Sequence, residues 1–369
     1  MNIGLVKQIQ QHEKRVPIVP AGVHLLSNLG HTVHVEHDAG LAAGFNDEAY
    51  AEAGANIVYS REEAVRRAEL VMGVAPVLPE DISLLSDGQT VMTFGNFVTL
   101  RPEAVQGLCQ KRITAVAYEW IENDEGHRPI IEVMGEIAGP IAVTMAARFL
   151  ESHHGGRGIL LSGAPGIPPA NVVIIGGGNV GLAAARAAVG LGAQVILLDS
   201  DPDRLRLAHQ IFDGRVVTYL SYRYNLDKVL RFADAVIGAV WVRGGRPPII
   251  INREMVRRMK PRSVIIDCSI DQGGICETGR PTSLIDPIFV SEGVIHCGIP
   301  NLPATVARTA SFAMANALFP YVRHFAHGGL EEVIMDQPGF VQGVYIRNGE
   351  IVNPAVADLV GARMSAVTV

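Results

Sequence analysis

The chain is poor in cysteine: four residues in 369, at positions 109, 268, 276 and 297, with no Cys-x-x-Cys pair. So few, so scattered, give no disulfide framework and no zinc-ligand spacing, so no metal is expected. Cys268 and Cys276 read as reduced core or near-site thiols. A basic excess is also missing. Lysine and arginine total 31 against 37 acidic residues, a net charge of −6, which argues against a nucleic-acid partner. The most basic stretch, Arg253 to Arg262, alternates with apolar residues and reads as the wet face of a helix. No charge-free apolar run reaches the ~20 residues of a membrane helix. The start of the chain lacks the basic, apolar and small-residue segments of a secretory signal, so the cytoplasm is the expected compartment. No internal repeat and no low-complexity segment is visible. What remains is 48% apolar and 18% charged, the balance of a soluble enzyme with room for two domains.

Short apolar runs alternate with helical patterns over the first 130 residues. Ile3–Val6, Thr32–Val35, Leu70–Val74, Thr90–Phe94 and Ala115–Tyr118 read as strands, with helices at Ala21–Leu29, Asn46–Ala53, Arg61–Ala68 and Pro102–Lys111. That alternation predicts an α/β layer fold with a mostly parallel sheet. Apolar residues three and four apart predict a long helix from about Gly135 to Glu151, then a loop rich in glycine and proline from Gly155 to Pro169. The alternation restarts with strands at Val172–Ile175, Gln194–Leu198, Val216–Tyr219, Ala235–Gly238, Ser263–Asp267 and Val294–His296. A helical run from about Pro303 to Phe325 returns to the first domain, and the tail after Gly328 reads as loop with one short helix near Ala355–Gly361. The expected plan is a Rossmann doubly wound sheet, residues 131–305, inserted into a second α/β domain built from residues 1–130 and 306–369.

The motif with most chemistry is Val172-Val173-Ile174-Ile175-Gly176-Gly177-Gly178-Asn179-Val180-Gly181, a buried strand running into G-x-G-x-x-G. Gly176 permits the tight turn, Gly178 lets the backbone approach a pyrophosphate, and Gly181 lets the following helix pack on the strand. The helix N-terminus offers free N–H groups and the positive end of its dipole to phosphates. Asp199 lies 18 residues beyond Gly181, at the end of the second strand, where a carboxylate accepts hydrogen bonds from an adenosine ribose. A carboxylate there repels a 2′-phosphate, which favours NAD over NADP. Arg204 is close enough in sequence to temper this.

Across nearly its whole length the sequence resembles alanine dehydrogenase and the related α-subunit of nicotinamide nucleotide transhydrogenase. The resemblance is carried by Glu13-Lys14-Arg15-Val16, Gly40-Leu41-Ala42-Ala43-Gly44-Phe45 and Ala115-Val116-Ala117-Tyr118-Glu119. Further matches are Gly158-Ile159-Leu160-Leu161-Ser162-Gly163, Pro165-Gly166-Ile167-Pro168-Pro169 and Ile266-Asp267-Cys268-Ser269-Ile270-Asp271-Gln272-Gly273-Gly274. Arg280-Pro281-Thr282, Pro300-Asn301-Leu302-Pro303 and Arg308-Thr309-Ala310-Ser311 complete them. The resemblance implies two domains flanking a cleft, in which an amino acid is oxidised to an oxo acid by hydride transfer to NAD. It implies that Arg15 binds the substrate carboxylate, a sensible match for a guanidinium fork. It also implies that Asp271 is at the reaction centre. Asn301 and Leu302 match residues near the nicotinamide, Ser221 one near the adenosine, and Val240 one along the cofactor groove. Asn179 and Val180 belong to the phosphate turn. Tyr118 joins the substrate-binding set. A homo-oligomer, dimer or hexamer, is implied as well.

The departures bear on the reaction. Ala75 stands where alanine dehydrogenase has a lysine, Asn96 where it has a histidine, and Gly135 where it has a serine. An amide can hydrogen-bond a carbonyl or amine but cannot exchange a proton at neutral pH. Ala75 and Gly95 are expected to leave room for a bulkier substrate. Asp271, Tyr118, Glu119 and Lys7 are the titratable candidates for a substitute acid or base. The expected function is an NAD-dependent oxidoreductase interconverting an amino or imino acid and an oxo acid, not alanine itself. Two other readings stay open: an NAD-binding regulatory homologue without catalysis, and an alanine dehydrogenase with substitute acid/base groups.

Overall fold

The computed structural model describes residues 1–10, 12–97, 100–242 and 245–361. These form two compact units, one of Met1–Met134 with Ala304–Val369 and one of Gly135–Pro303. The first half contributes β1 (Asn2–Leu5), α1 (Pro20–Asn28), β2 (Thr32–Glu36), α2 (Asp47–Glu52) and β3 (Asn56–Val58). It continues with α3 (Arg61–Arg66), β4 (Leu70–Met72), β5 (Thr90–Thr93), α4 (Pro102–Gln110) and β6 (Thr114–Ala117). Local chemistry sets several of these starts. Pro20 and Pro102 sit in first turns, where a missing N–H costs nothing. The Asn46 and Ser60 side chains accept from Ala49 N and Glu63 N to cap α2 and α3.

α5 (Pro129–Phe149) begins six residues before the periodicity places it, because Pro129 opens the helix ahead of the first regular apolar repeat. It is long and apolar enough to cross a membrane by length and composition. Its apolarity has another use: Ala138, Ala142, Val143, Ala146 and Phe149 are buried in one cluster with Val172 and Ile174. Then come β7 (Asn171–Ile175), α6 (Asn179–Gly190), β8 (Gln194–Asp199), α7 (Pro202–Phe212), β9 (Val216–Leu220) and α8 (Arg223–Leu230). β10 (Ala235–Gly238), α9 (Arg253–Arg257), β11 (Val264–Asp267), β12 (Phe289–Ser291) and β13 (Val294–Cys297) complete this unit. The chain returns through α10 (Ala307–Asp336), β14 (Val344–Arg347), β15 (Glu350–Ile351) and α11 (Pro354–Val360).

The tail is therefore not loop-rich. α10 runs on past Gly328, with one non-helical residue at Gly329, and β14 pairs antiparallel with β6. Two residues of alternation in β15 are too few to register as a strand, and β14 is fixed by its partner rather than by its own pattern.

Both sheets are doubly wound. In the first the parallel order is β3-β2-β1-β4-β5-β6, extended by antiparallel β14 and β15. In the second it is β9-β8-β7-β10-β11-β13, with β12 antiparallel at the edge. The orders are the same, so a topology repeats where no sequence repeat is visible. Alternate residues of the second sheet serve two cores: Val172 and Ile174 on one face, Val173 and Ile175 on the other. Covered faces explain why its strands read as continuous apolar runs. In each sheet the order reverses beside the first strand, between β1 and β4 and between β7 and β10. Ligands of open α/β sheets bind beyond the carboxyl ends of the strands at that point.

Candidate functional site

In the second unit the glycine turn follows β7 directly. Gly176 has φ +109, and a Cβ on it would lie 2.3 Å from the Ala239 carbonyl oxygen. A Cβ on Gly181 would lie 1.8 Å from the Gly176 oxygen, so α6 packs on the turn with no space for a side chain. Gly178 is different. Its backbone is extended (φ −78), and the nearest atom to a Cβ would be Arg204 Nη1 at 3.9 Å. No protein atom requires a glycine there, and the open space is the cradle a pyrophosphate needs. No side chain caps α6, so its first N–H groups face that cradle. The residues present fit a dinucleotide.

Asp199 ends β8 and is buried. Its Oδ2 accepts from Gly177 N at 2.6 Å and its Oδ1 from Asp201 N at 2.8 Å. The carboxylate thus shapes the glycine turn. Arg204 Nη1 lies 3.6 Å from Asp199 Oδ2 and Arg204 Nε 3.9 Å from Asp201, so two carboxylates already share this cation. Ser221 follows β9 and donates its backbone N–H to the Asp199 carbonyl oxygen. Val240 follows β10, with its N–H donated to Ser269 Oγ at 3.0 Å. Asp271 is exposed in a short turn after β11, and its Oδ2 accepts from Asn301 N at 3.2 Å. Asn301 has φ +55, and Leu302 beside it is buried. Gly176, Gly178, Ser221, Val240, Asn301 and Leu302 thus follow the carboxyl ends of strands, Asp199 ends one, and Arg204 lies in the first turn of α7.

Sequence reasoning gave no weight to Asp267. This buried carboxylate accepts from Ser269 N at 3.0 Å and Ile275 N at 2.8 Å, gripping both ends of the loop that carries Asp271. Burial pushes its carboxyl above the usual range, with the backbone donors opposing. Gly135 lies on α5 against the first turn of α6: a Cβ there would be 3.2 Å from Val180 Cγ2, so even a serine would force that neighbour to give.

In the first unit Arg15 is 3% exposed, whereas the sequence alone suggests a surface arginine. Its Nε and Nη2 donate to Glu13 Oε1 and Oε2 at 2.8 and 2.6 Å. Its Nη1 lies 3.3 Å from the Met134 sulfur, and its guanidinium carbon 5.3 Å from the centre of the Phe94 ring. One edge of the fork is therefore taken by Glu13, and the Nη1 side faces the Met134 sulfur. Glu13 has no separate sequence signal, since it sits in a run with Lys14 and Arg15 that reads as solvated charge.

Ala75 follows β4 and donates its N–H to Gln8 Oε1 at 2.9 Å, while Gln8 Nε2 donates to the Val6 carbonyl oxygen. Gln8 thus ties together the ends of β1 and β4 at the point of reversal. Lys7 has its ammonium 3.7 Å from Asp38. Asn96 is exposed after β5, with φ +40. Gly95 beside it does not leave room: a Cβ would meet Phe97 at 2.6 Å and Ala117 at 2.8 Å, so the glycine serves close packing. Tyr118 is also corrected. It is fully buried, its hydroxyl donates to the Met92 carbonyl oxygen at 2.7 Å, and burial raises its pKa well above the ordinary value. It packs edge-on against Phe94 and so supports the ring under Arg15 rather than facing a ligand.

The two units place chemistry at the same register positions. Glu36 Oε2 accepts from Lys7 N at 2.8 Å, the counterpart of Asp199 accepting from Gly177 N. The three free buried or half-buried thiols of the second unit, Cys268, Cys276 and Cys297, all have pKa values raised by burial, as inert core thiols do. Two groups, Glu151 with His153 and His154, and His37 with Asp38 and Asp47, bring three ligand-type atoms within 4.8 Å of one another. They engage in side-chain pairs already, His154 with Arg148 and His37 with Asp47.

Comparison with known proteins is consistent along the chain. Residues 4–138 match the family model "Alanine dehydrogenase/PNT, N-terminal domain" and residues 142–354 match "Alanine dehydrogenase/PNT, C-terminal domain". The chain is 41% identical over 359 residues to an alanine dehydrogenase of Bacillus subtilis, covering 97% of this chain and 94% of that one. It is 38% identical over 358 residues to an alanine dehydrogenase of Methanococcus maripaludis, covering 97% and 96%. Among solved structures an L-alanine dehydrogenase superposes with a TM-score of 0.93 at 39% identity, covering 97% of this chain and 99% of that one. A transhydrogenase from Sinorhizobium meliloti shares the fold, with a TM-score of 0.81 at 22% identity over 96% of this chain and all of that one.

Proposed function

The chain belongs to the alanine dehydrogenase/PNT family, and on that footing we propose that it is an NAD-dependent oxidoreductase interconverting an amino or imino acid and an oxo acid, with a substrate other than alanine. The observation that carries the reading is the first unit's sheet end, where buried Arg15 is kept while Gln8, Ala75 and Asn96 offer only neutral groups. A carboxylate anchor with Ala75 and Asn96 in place of the family's lysine and histidine suits a substrate that needs less proton transfer than alanine, such as a preformed imine.

The division of labour follows the chain. Residues 131–305 hold NAD, and residues 1–130 with 306–369 hold the substrate. The N–H groups at the start of α6 and the open face of Gly178 would take the pyrophosphate. Asp199 would take the adenosine ribose, which favours NAD over NADP, and Ser221, Val240, Asn301 and Leu302 would flank the rest. NAD, when bound, supplies a hydride acceptor. Arg15 holds the substrate carboxylate through its Nη1 side, Asn96 hydrogen-bonds the carbonyl or imine, and Asp271 exchanges the proton. The assembly is a cytoplasmic homo-oligomer, which light scattering would test.

The decisive assay follows NADH absorbance with a panel of oxo acids, with and without ammonium, and with preformed imines. Reduction of a bulkier acid or imine in preference to pyruvate with ammonium is expected. Robust alanine turnover would overturn the substrate assignment and leave the oxidoreductase assignment standing. NADH binding with no turnover of any panel member would overturn both, in favour of a regulatory NAD-binding protein. Restoring Ala75→Lys with Asn96→His should then bring alanine activity.

A further inference from the structure

We propose that Glu119 is the positioning residue of the substrate side: its carboxylate holds the turn that presents Asn96. This rests on the reading that Asn96 faces the substrate. Glu119 Oε2 accepts from Gly95 N at 3.0 Å and Oε1 accepts from Asn96 N at 2.7 Å, so one carboxylate takes two consecutive backbone N–H groups. The turn it holds has a left-handed residue at its centre. Asn96 is left-handed at φ +40, a region that asparagine tolerates better than most side chains but that still narrows the conformations the turn can take. The grip reaches from the end of β6 to the end of β5, across the crevice side of the sheet.

The second unit repeats the contact with the roles exchanged, an observation independent of the first. Asn96 lies five residues beyond Val91 and Asp271 five beyond Ile266, at matching places in the two strand registers. Glu119 lies four beyond Ala115 and Asn301 four beyond Cys297, also matching. There the carboxylate of Asp271 accepts from Asn301 N at 3.2 Å. In each unit a carboxylate and a left-handed asparagine tie the same two strand ends. In the second unit the carboxylate is the group offered to the reaction, and in the first it is the holder.

Replacing Glu119 by glutamine keeps the volume but leaves an amide N–H₂ facing a backbone N–H, so one of the two bonds is lost. The test compares Glu119→Gln, Glu119→Asp and Asn96→Ala by hydrogen exchange, NADH titration and steady-state kinetics with the oxo acid or imine found active. For Glu119→Gln, exchange at residues 95 and 96 should quicken, KM should rise on the order of tenfold, and NADH affinity should stay unchanged. Glu119→Asp, which keeps the carboxylate, should recover part of the KM. Unchanged exchange at 95 and 96, or quickened exchange with unchanged KM, would overturn the role of Glu119. If Asn96→Ala is silent while Glu119→Gln raises KM, the assignment of Asn96 to the substrate falls instead, and the held backbone itself becomes the contact.

Discussion

Gly178→Ala separates a turn that binds phosphate from one that only shapes the fold. At Gly178 the backbone is extended, φ −78 and ψ −167, a conformation alanine adopts freely. The added Cβ would have only Arg204 Nη1, at 3.9 Å, for a neighbour. The apoprotein should therefore be as stable as the wild type or stabilised by ~0.4–1 kcal/mol through the unfolded chain. Binding is another matter, because the methyl occupies the space through which a pyrophosphate reaches the N–H groups of α6. Losing one or two charge-assisted hydrogen bonds, at about 1.5–3 kcal/mol each, weakens NADH roughly ten- to a hundredfold or more. Gly181→Ala is the contrast. Its Cβ would sit 1.8 Å from the Gly176 oxygen and 2.9 Å from its carbon, so α6 must move off the strand. Overpacking of that kind costs about 1–3 kcal/mol, occasionally more, and lowers Tm by several degrees as well as binding. Fluorescence titration with NADH and thermal melts of both variants read the two effects. If Gly178→Ala keeps wild-type NADH affinity, the cradle is not where the cofactor's phosphates lie and the reasoning fails.

Three further outcomes follow from the first unit. Glu13→Ala should destabilise it by about 3–5 kcal/mol, because Arg15 is left charged and buried with its partner gone; a denaturant melt within 1 kcal/mol of wild type, a margin at the size of ordinary surface changes, would show the pair to be solvated. Tyr118→Phe should cost about 1 kcal/mol for the lost bond to the Met92 carbonyl and leave the pH–rate profile where it was, whereas a displaced limb would make the phenol an acid/base group. Burial raises the Glu119 carboxyl above its ordinary value, so the folded state holds that proton more tightly than the unfolded chain. Its stabilising contribution is present below the unfolded pKa and is lost as pH rises through the folded value, so wild type should lose stability relative to Glu119→Gln across that window. A difference that grows with pH instead would show the carboxylate to be favoured in the fold.

How much of this was legible in the sequence depends on where each signal lives. The glycine turn is local: strand, three glycines, helix and a carboxylate at a fixed distance, each visible along the chain. Register-defined contacts are not local. Gln8 meets Ala75 only once β1 and β4 are paired, while Glu13 and Asp267 act on residues close in sequence through loop shapes and burial that no pattern along the chain displays. Tyr118 misled for the opposite reason. It stands in a motif of the family and carries a titratable hydroxyl, yet it directly follows β6, a strand buried along its whole length, and lies in the core with its phenol bonded to a carbonyl. Gly95 misled because a missing side chain suggests space, while the folded-back ring of Phe97 and Ala117 of the neighbouring strand had already filled it.

The repeat of strand order was invisible for a physical reason that also bears on function. A doubly wound sheet needs apolar strands, right-handed crossovers and a reversal beside its first strand, and many sequences satisfy those demands. The two sheets share the plan and the register while the residues at matching positions diverge. The second unit spends its first crossover on a glycine turn and a long helix whose N-terminus suits phosphate. The first unit places Lys7 and Gln8 at the same point, and its helix α1 starts only at Pro20. What persists in both is a carboxylate at the end of the second strand holding the loop after the first, Glu36 on Lys7 and Asp199 on Gly177. Such a contact serves the crevice itself, whichever ligand fills it. Asp199→Asn, which keeps one oxygen acceptor and discards the charge, should therefore loosen the turn less than it weakens NADH. Glu36→Gln should be felt in substrate KM rather than NADH affinity, since its loop belongs to the other sheet. A Glu36→Gln variant that lost NADH affinity and kept its KM would contradict the assignment of cofactor and substrate to separate sheets.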